Sequence, residues 1–542
     1  MNNHKTLVAA LGVLLFVLLV SAQALRNEFY WDDRHQILGG KLISTWKNLP
    51  TIFTNRVWHN VEPGEQDPRA DIDTYRPLFN VSLLIDRQLW GVDPVGYHAT
   101  NLLLHLLNVF LVFVFAHTLL GFHAAWVAAS LFGLHPICSS PIHYVSARAD
   151  SLCTFFLLSG LVLFARKQTG EFWAWGAMVF FLLLSFLSKE MSLLFPFIFL
   201  VLIFFGTNIQ RKKSLACWFI SVVVLFCIYF SLRGYALGSL KAVGGSLHAS
   251  KMMMNYPPLV GDFIRLFFYP KQTMPLSSFE ILDVIPGHFL WGQLLLQYGI
   301  LILMSGLLIR LSWIYGLGFI WVLLSLAPPT VAVVRTKILD GHYFYCASIG
   351  ASLMMATFVS SFLRNPRFRV YGTCIVSLAI IGLAYQSFDV GKSYRTEISF
   401  YEAIRHGGKH PSLVEYNLGN AYNRRGMWGS SLPLYEEVLH QNPRHMSAKN
   451  NLALAYLNTE NMEQAYTLMS EVIREEPFQA RYQYNWSLIL EAKGEKRKAD
   501  QALLESLRLD PLYLSAKQML YQRCGEPGRV GLLVSCRKLK KL

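Results

Sequence analysis

Two carboxylates stand side by side at Asp32 and Asp33, directly after Trp31, in a chain of 542 residues of which only 15% are charged. Adjacent acids repel when water is withdrawn from them, so they need a purpose: a proton to accept as a base, a metal, or Arg partners. A solvated turn is the plain alternative. A second acidic pair, Asp71 and Asp73, has the alternate spacing of oxygen ligands and is the candidate site for a divalent ion, although solvated loops often show the same spacing. Further ionisable residues sit at the ends of apolar runs: His98 and His105, His135, Arg148 and Asp150, Lys189 and Glu190, then Arg335, Lys337, Asp340 and His342. His105 lies seven residues beyond His98 on one helix face. Charge at membrane depth is costly and usually functional. Lys189 and Glu190 could simply pair with each other. Taken together, these groups outline a basic cleft that suits a phosphate, with Arg and Lys as its holders. The carboxylates suit a weakly nucleophilic hydroxyl, which a positioned base activates.

The elements that must hold these residues are membrane helices. Hydrophobic residues make up 53% of the chain, against roughly 25% charged residues expected of a soluble protein and 15% found. About twenty apolar residues cross a bilayer as a helix, because the backbone must satisfy its own polar groups. Such runs occur at Thr6–Leu25 and near 100–120, 124–140, 151–166, 172–188, 190–207, 215–232, 288–309, 313–333, 343–363 and 370–388, which makes eleven. The first reads as a retained anchor because more spans follow. Leu259–Tyr269, interrupted by Asp262 and Arg265, reads as interfacial or re-entrant.

Eleven spans also satisfy the positive-inside rule. With Lys5 inside, the clusters Arg166–Lys167, Arg211–Lys212–Lys213, Arg310 and Arg364–Arg367–Arg369 all fall on the cytoplasmic side. The loop 26–98 and the tail then face outward. The net charge of +15 is explained by topology and acidic lipid headgroups, not by nucleic acid. Of eight cysteines, six lie in or beside apolar runs as packing residues; Cys524 and Cys536 are candidates for a disulfide if the tail is extracytoplasmic. No Cys/His spacing suits zinc.

The tail after about residue 393 is soluble in character and repetitive. Pro443, Pro477 and Pro511 recur at intervals of 34 residues, the tetratricopeptide period. Leu418-Gly419, Leu452-Ala453 and Trp486-Ser487 occupy matching offsets, as do Tyr422 and Tyr456, and Ala465 and Ala499. Repeats are expected near 412–445, 446–479 and 480–513, with a joining helix in Ser393–Pro411 and a basic tail at 524–542. Such units stack into a superhelix whose concave face holds an extended peptide or partner.

Several segments carry a resemblance to a known family. They are Trp31-Asp32-Asp33, Tyr75-Arg76-Pro77-Leu78, Tyr97-His98 through His105, Leu134-His135-Pro136, Ser146 through Leu152, and Ser188-Lys189-Glu190. The chain resembles the transmembrane and tetratricopeptide-repeat O-mannosyltransferases and their bacterial relatives, within the GT-C glycosyltransferase class. The resemblance covers nearly the whole chain. It implies an all-α fold: a GT-C-like membrane bundle over 1–392 followed by an extracytoplasmic repeat superhelix over 393–523.

The resemblance further implies transfer of a sugar, mannose being one candidate, from a polyprenyl-phosphate donor to a protein hydroxyl or glycan presented by the repeats. Transfer would be a single displacement with inversion, Asp33 or Asp32 acting as base. Arg148, Arg335, Lys337, His98, Lys189, Tyr75, Arg76 and His342 would bind the donor. No cofactor is implied beyond the candidate metal pair Asp71 and Asp73. A bacterial inner membrane is preferred over an ER membrane. A membrane scaffold that recruits partners needs neither the acidic doublet nor the basic cleft. A transporter should carry its polar residues near the midplane instead of at one face.

Overall fold

The computed structural model describes residues 3–57, 74–166, 171–205, 211–238, 249–270, 276–282, 288–407 and 412–524. Asp71, Asp73 and Cys536 lie outside the described residues. The chain divides into two compact units after Lys409.

The first unit is a multi-pass helical bundle. Its helices in chain order are α1 (Asn3–Ser21), α2 (Pro77–Trp90), α3 (Pro94–Leu120), α4 (Phe122–Leu134), α5 (Arg148–Arg166), α6 (Glu171–Phe186), α7 (Pro196–Phe205), α8 (Arg211–Leu237), α9 (Ala249–Phe268), α10 (His288–Leu311), α11 (Trp313–Leu326), α12 (Pro329–Thr336), α13 (Tyr345–Leu363), α14 (Pro366–Ser393) and α15 (Glu397–His406). Among the described residues, seven stretches are long and apolar enough to cross a membrane. The pair α11–α12, bent by 43°, adds one more and three shorter apolar helices make up the eleven runs read from the sequence. A short antiparallel pairing of β1 (Leu276–Ser278) with β2 (Ile338–Asp340) closes one face.

Burial separates the middle of the bundle from its lipid-facing rim. The apolar window ending in α5 is 78% buried, whereas that in α10 is 6% buried, with Leu295, Leu296, Ile302 and Leu303 exposed. α5 is therefore the central helix, and Arg148 and Asp150 stand in its first turn. Helix α9 is not among the stretches long and apolar enough to cross. Asn255, near its start, exchanges hydrogen bonds with Leu282 (3.0 and 2.8 Å), and the carbonyl of Phe267, near its end, meets His135 Nε2 at 2.9 Å. His135 also accepts from the Ile137 amide at 3.2 Å, so it fixes this helix while capping its own turn.

The loop 26–98 is not irregular throughout. Phe29, Ile37, Ile52, Phe79, Leu83 and Leu84 form a separate small core with Val145 and Ala149. The helix α2 within it carries the signs of its own boundaries: Pro77 in the first turn and Gly91 at φ +62° just past the end.

The second unit is built of paired helices: α16 (Ser412–Arg424) with α17 (Trp428–Gln441), α18 (Met446–Asn458) with α19 (Met462–Glu475), α20 (Ala480–Ala492) with α21 (Lys496–Leu509), then a final α22 (Leu514–Arg523). Ser431, Ala465 and Ala499 are fully buried at one equivalent position. Where the first pair touches, a Cβ on Gly419 would come within 2.8 Å of the Tyr435 ring, so only glycine lets the helices close. Arg523 seals the end, 3.5 Å from Asp500 and 3.4 Å from Glu491. Cys524 is disulfide-bonded, and the six cysteines of the bundle are free thiols.

The helix expected to lead the repeat array, α15, packs with the first unit instead. Its buried Phe400, Tyr401 and Ile404 need an apolar partner, and aromatic residues of the first loop provide it.

Candidate active site

Asp33 is wholly buried. Its carboxylate receives the Ser146 amide at 2.7 Å, the Ser146 hydroxyl at 2.6 Å and the Val145 amide at 3.3 Å. Those amides belong to the turn Val145–Ala147 that leads into α5, where unpaired N–H groups favour a negative charge. Burial nevertheless pushes Asp33 up to about 7, against the pull of the hydrogen bonds and of Arg148. Asp32 beside it is half-buried. The preceding Trp31 has φ +49°, a left-handed conformation that a bulky residue holds only when its surroundings enforce it.

The titration of Asp33 gives a first prediction. A folded-state value of about 7 means that the folded chain holds this proton where the unfolded chain has released it. The stability contributed by the neutral form is complete below about pH 4 and is lost as pH rises through about 7. Between pH 5 and 8 the wild type should lose stability relative to Asp33→Asn, with a slope of at most about 1.4 kcal/mol per pH unit. Thermal unfolding in detergent across that range measures it. Parallel curves for the two proteins would place the titration elsewhere.

Three of the predicted donor-binding cations, Arg148, Lys189 and Arg76, are already paired. Arg148 is fully buried: Nη2 meets Asp86 at 2.6 Å and the Tyr97 carbonyl at 2.9 Å, Nε meets Asn101 at 2.6 Å, and Nη1 points to the Ser82 carbonyl at 3.3 Å. All three guanidinium nitrogens are engaged, so Arg148 has little left to offer a phosphate. Lys189 does not pair with Glu190. It pairs with Asp150 at 2.6 Å, while Glu190 takes Arg76 at 2.8 Å and the Tyr75 amide at 3.2 Å. Consecutive residues in an extended segment point apart, which is why the neighbouring pair cannot close. The Leu78 amide also bonds the Leu187 carbonyl at 3.1 Å. Tyr75-Arg76-Pro77-Leu78 and Ser188-Lys189-Glu190 are therefore two halves of one latch between the first loop and the end of α6.

His342 bridges two carboxylates, with Nδ1 2.8 Å from Asp340 and Nε2 3.9 Å from Asp150. Asp340 also accepts from Ser140 at 3.1 Å. Arg335 and Lys337 stand apart from this network. Both are exposed, and Lys337 projects from a left-handed turn at φ +59° between α12 and β2. Among the described residues neither has an ion-pair partner, which leaves them as the cations open to a ligand.

The polar stripe of α3 is internal. His98, Asn101, His105 and Asn108 follow one face and are all fully buried. Asn101 donates to the carbonyls of Pro141 (3.0 Å) and Tyr144 (3.1 Å), and His105 meets the Tyr345 hydroxyl at 2.9 Å. His98 sits beside Phe29 and is closed off from solvent, so it supports the site from behind.

Sequence reading missed Asp86, Asn101, Ser146 and His143. His143 is fully buried and pushed down to about 3, first by burial and then by His98 and His105, so it stays neutral. Its carbonyl accepts the Tyr30 hydroxyl at 2.8 Å, and its ring stacks on Tyr394 at 5.3 Å. Asp86 had a signal, being an acid on an otherwise apolar helix face, and Asn101 and Ser146 lie within the segments that carry the resemblance; His143 had none. Among the described residues no group of three or more His, Cys, Asp or Glu could hold a metal ion.

A tetratricopeptide-repeat family model matches residues 424–484. The sequence is similar to protein O-mannosyl-transferase Tmtc1 of Drosophila melanogaster, 28% identical over 34% of this chain and 21% of that protein. It is also similar to protein O-mannosyl-transferase TMTC3 of Homo sapiens, 20% identical over 91% of this chain and 60% of that protein. Among solved structures, the oligosaccharyltransferase of Archaeoglobus fulgidus tethered with an acceptor peptide matches with a TM-score of 0.39 and 13% identity, over 79% of this chain and 58% of that one. The chain thus spans less than two thirds of the length of these relatives.

Proposed function

We propose that this chain is an inverting membrane glycosyltransferase that moves a sugar from a polyprenyl-phosphate donor to a protein hydroxyl. Mannose is the sugar favoured by the named activity of its relatives. The observation that carries the proposal is the doublet itself: one acid locked on the N-terminus of the central helix, the other half-open beside it. In the reaction, the acceptor oxygen attacks the anomeric carbon while the bond from that carbon to the phosphate oxygen breaks. Asp32 takes the hydroxyl proton, and the electron pair leaves with polyprenyl phosphate. Arg335 and Lys337 hold the phosphate as its charge grows.

We infer that the site faces the extracytoplasmic side of a bacterial inner membrane. Two features support that side. The positive-inside reading of the basic clusters assigns the other ends of the spans to the cytoplasm. A disulfide at Cys524 suits an oxidising compartment. The repeats present the acceptor.

Purified full-length protein in liposomes, given labelled polyprenyl-phosphate mannose and an acceptor protein, should consume the donor and label serine or threonine. Failure with every polyprenyl-phosphate sugar would overturn the reading. The chain truncated after Lys409 should bind donor as before and lose about tenfold or more in transfer to protein, because the acceptor is no longer concentrated at the site. Equal loss of donor binding would assign the repeats a structural role only.

A further inference from the structure

We propose that α15, the helix after the last span, positions Asp32 and so belongs to the catalytic face. The proposal rests on the reading of the doublet given above. Asp33 is fixed from one side by Ser146, and the backbone that leads into Asp32 is fixed from another. That backbone is held by α15. The Glu28 amide bonds the Arg395 carbonyl at 3.1 Å. Tyr30 stacks on Phe400 with ring centres 4.6 Å apart, and Trp31 packs against Tyr401 at 5.7 Å. After the doublet, Arg34 lies 4.0 Å from Glu397.

The helix is itself a firm platform. Thr396 and Ser399 cap it reciprocally, the Ser399 amide to Thr396 Oγ1 at 3.0 Å and the Thr396 amide to Ser399 Oγ at 2.9 Å. Phe400 and Tyr401 are 3% and 2% exposed, so their rings have little room to move. The left-handed Trp31 is where this packing is imposed on the chain: its ring is held by α15 directly before Asp32. A base displaced by about 1 Å loses on the order of a hundredfold in rate, so the packing bears directly on turnover.

The test uses the full-length protein. Phe400→Ala and Tyr401→Ala should lower kcat by about 10- to 100-fold with the donor KM within about threefold of wild type. Tyr401→Phe, which keeps the ring, should recover kcat to within about threefold of wild type. Hydrogen exchange of the segment 28–36 should accelerate in the two alanine variants. Unchanged kcat, or unchanged exchange at 28–36, would overturn the positioning role. Asp32→Asn is assayed in the same preparation. Wild-type transfer by that variant would remove the doublet reading, while the exchange result would still decide whether α15 orders the segment.

Discussion

Asp32→Asn should leave the protein inserted and folded and should lower sugar transfer by about 10²- to 10⁴-fold, the share that a positioned base contributes. The two acids of the doublet are unequal, and the structure supplies the reason. Asp33 is enclosed, and both its oxygens accept from the turn before α5. A group so enclosed is out of reach of a substrate hydroxyl. Asp32 is half-buried and one residue away, where a substrate can reach it while its neighbour stays anchored.

Asp33→Asn should also reduce transfer, but with a second signature. It puts an amide N–H against a donor that the carboxylate accepted, and so lowers thermal stability by about 1 kcal/mol, the usual worth of a cap. Asp32→Asn should show the larger loss of transfer. Rates measured with each variant in parallel with thermal unfolding separate the two roles. Wild-type rates in Asp32→Asn would sink the assignment of the base.

Organisation was legible in the sequence; pairing was not. Proline spacing in the tail and apolar runs in the front half report local periodicity, and each run corresponds to a helix. The doublet drew notice because like charges side by side are unusual next to a membrane span. The sequence could not show which cation meets which anion, because partners lie far apart in the chain. Arg148 finds Asp86 and Lys189 finds Asp150 only after the helices have assembled. A count of basic residues at span ends therefore overstated the charge free to bind phosphate. Nor could it show that α15 turns back onto the first loop. Glu397–His406 has the amphipathic pattern of any surface helix, and nothing local says which apolar surface it covers.

The largest effect on stability should come from the Arg148–Asp86 pair. Arg148→Met or Asp86→Leu alone should destabilise the bundle by about 3–5 kcal/mol, since each leaves a buried charge without its counter-ion. The double variant should regain most of that loss, because two apolar side chains in a closed space need no compensation. Transfer should stay low in the double variant. Arg148 also ties together the Tyr97 carbonyl, Asn101 and Ser82, and its charge draws Asp33 toward the ionised form. Without it the turn that anchors Asp33 is free to shift, and the carboxyl loses a neighbour that opposes its protonation. Stability and activity should therefore part company in this double variant, with unfolding followed in detergent and transfer in liposomes. If Arg148→Met melted with the wild type, the guanidinium would not be the central support, and its role would return to binding the donor.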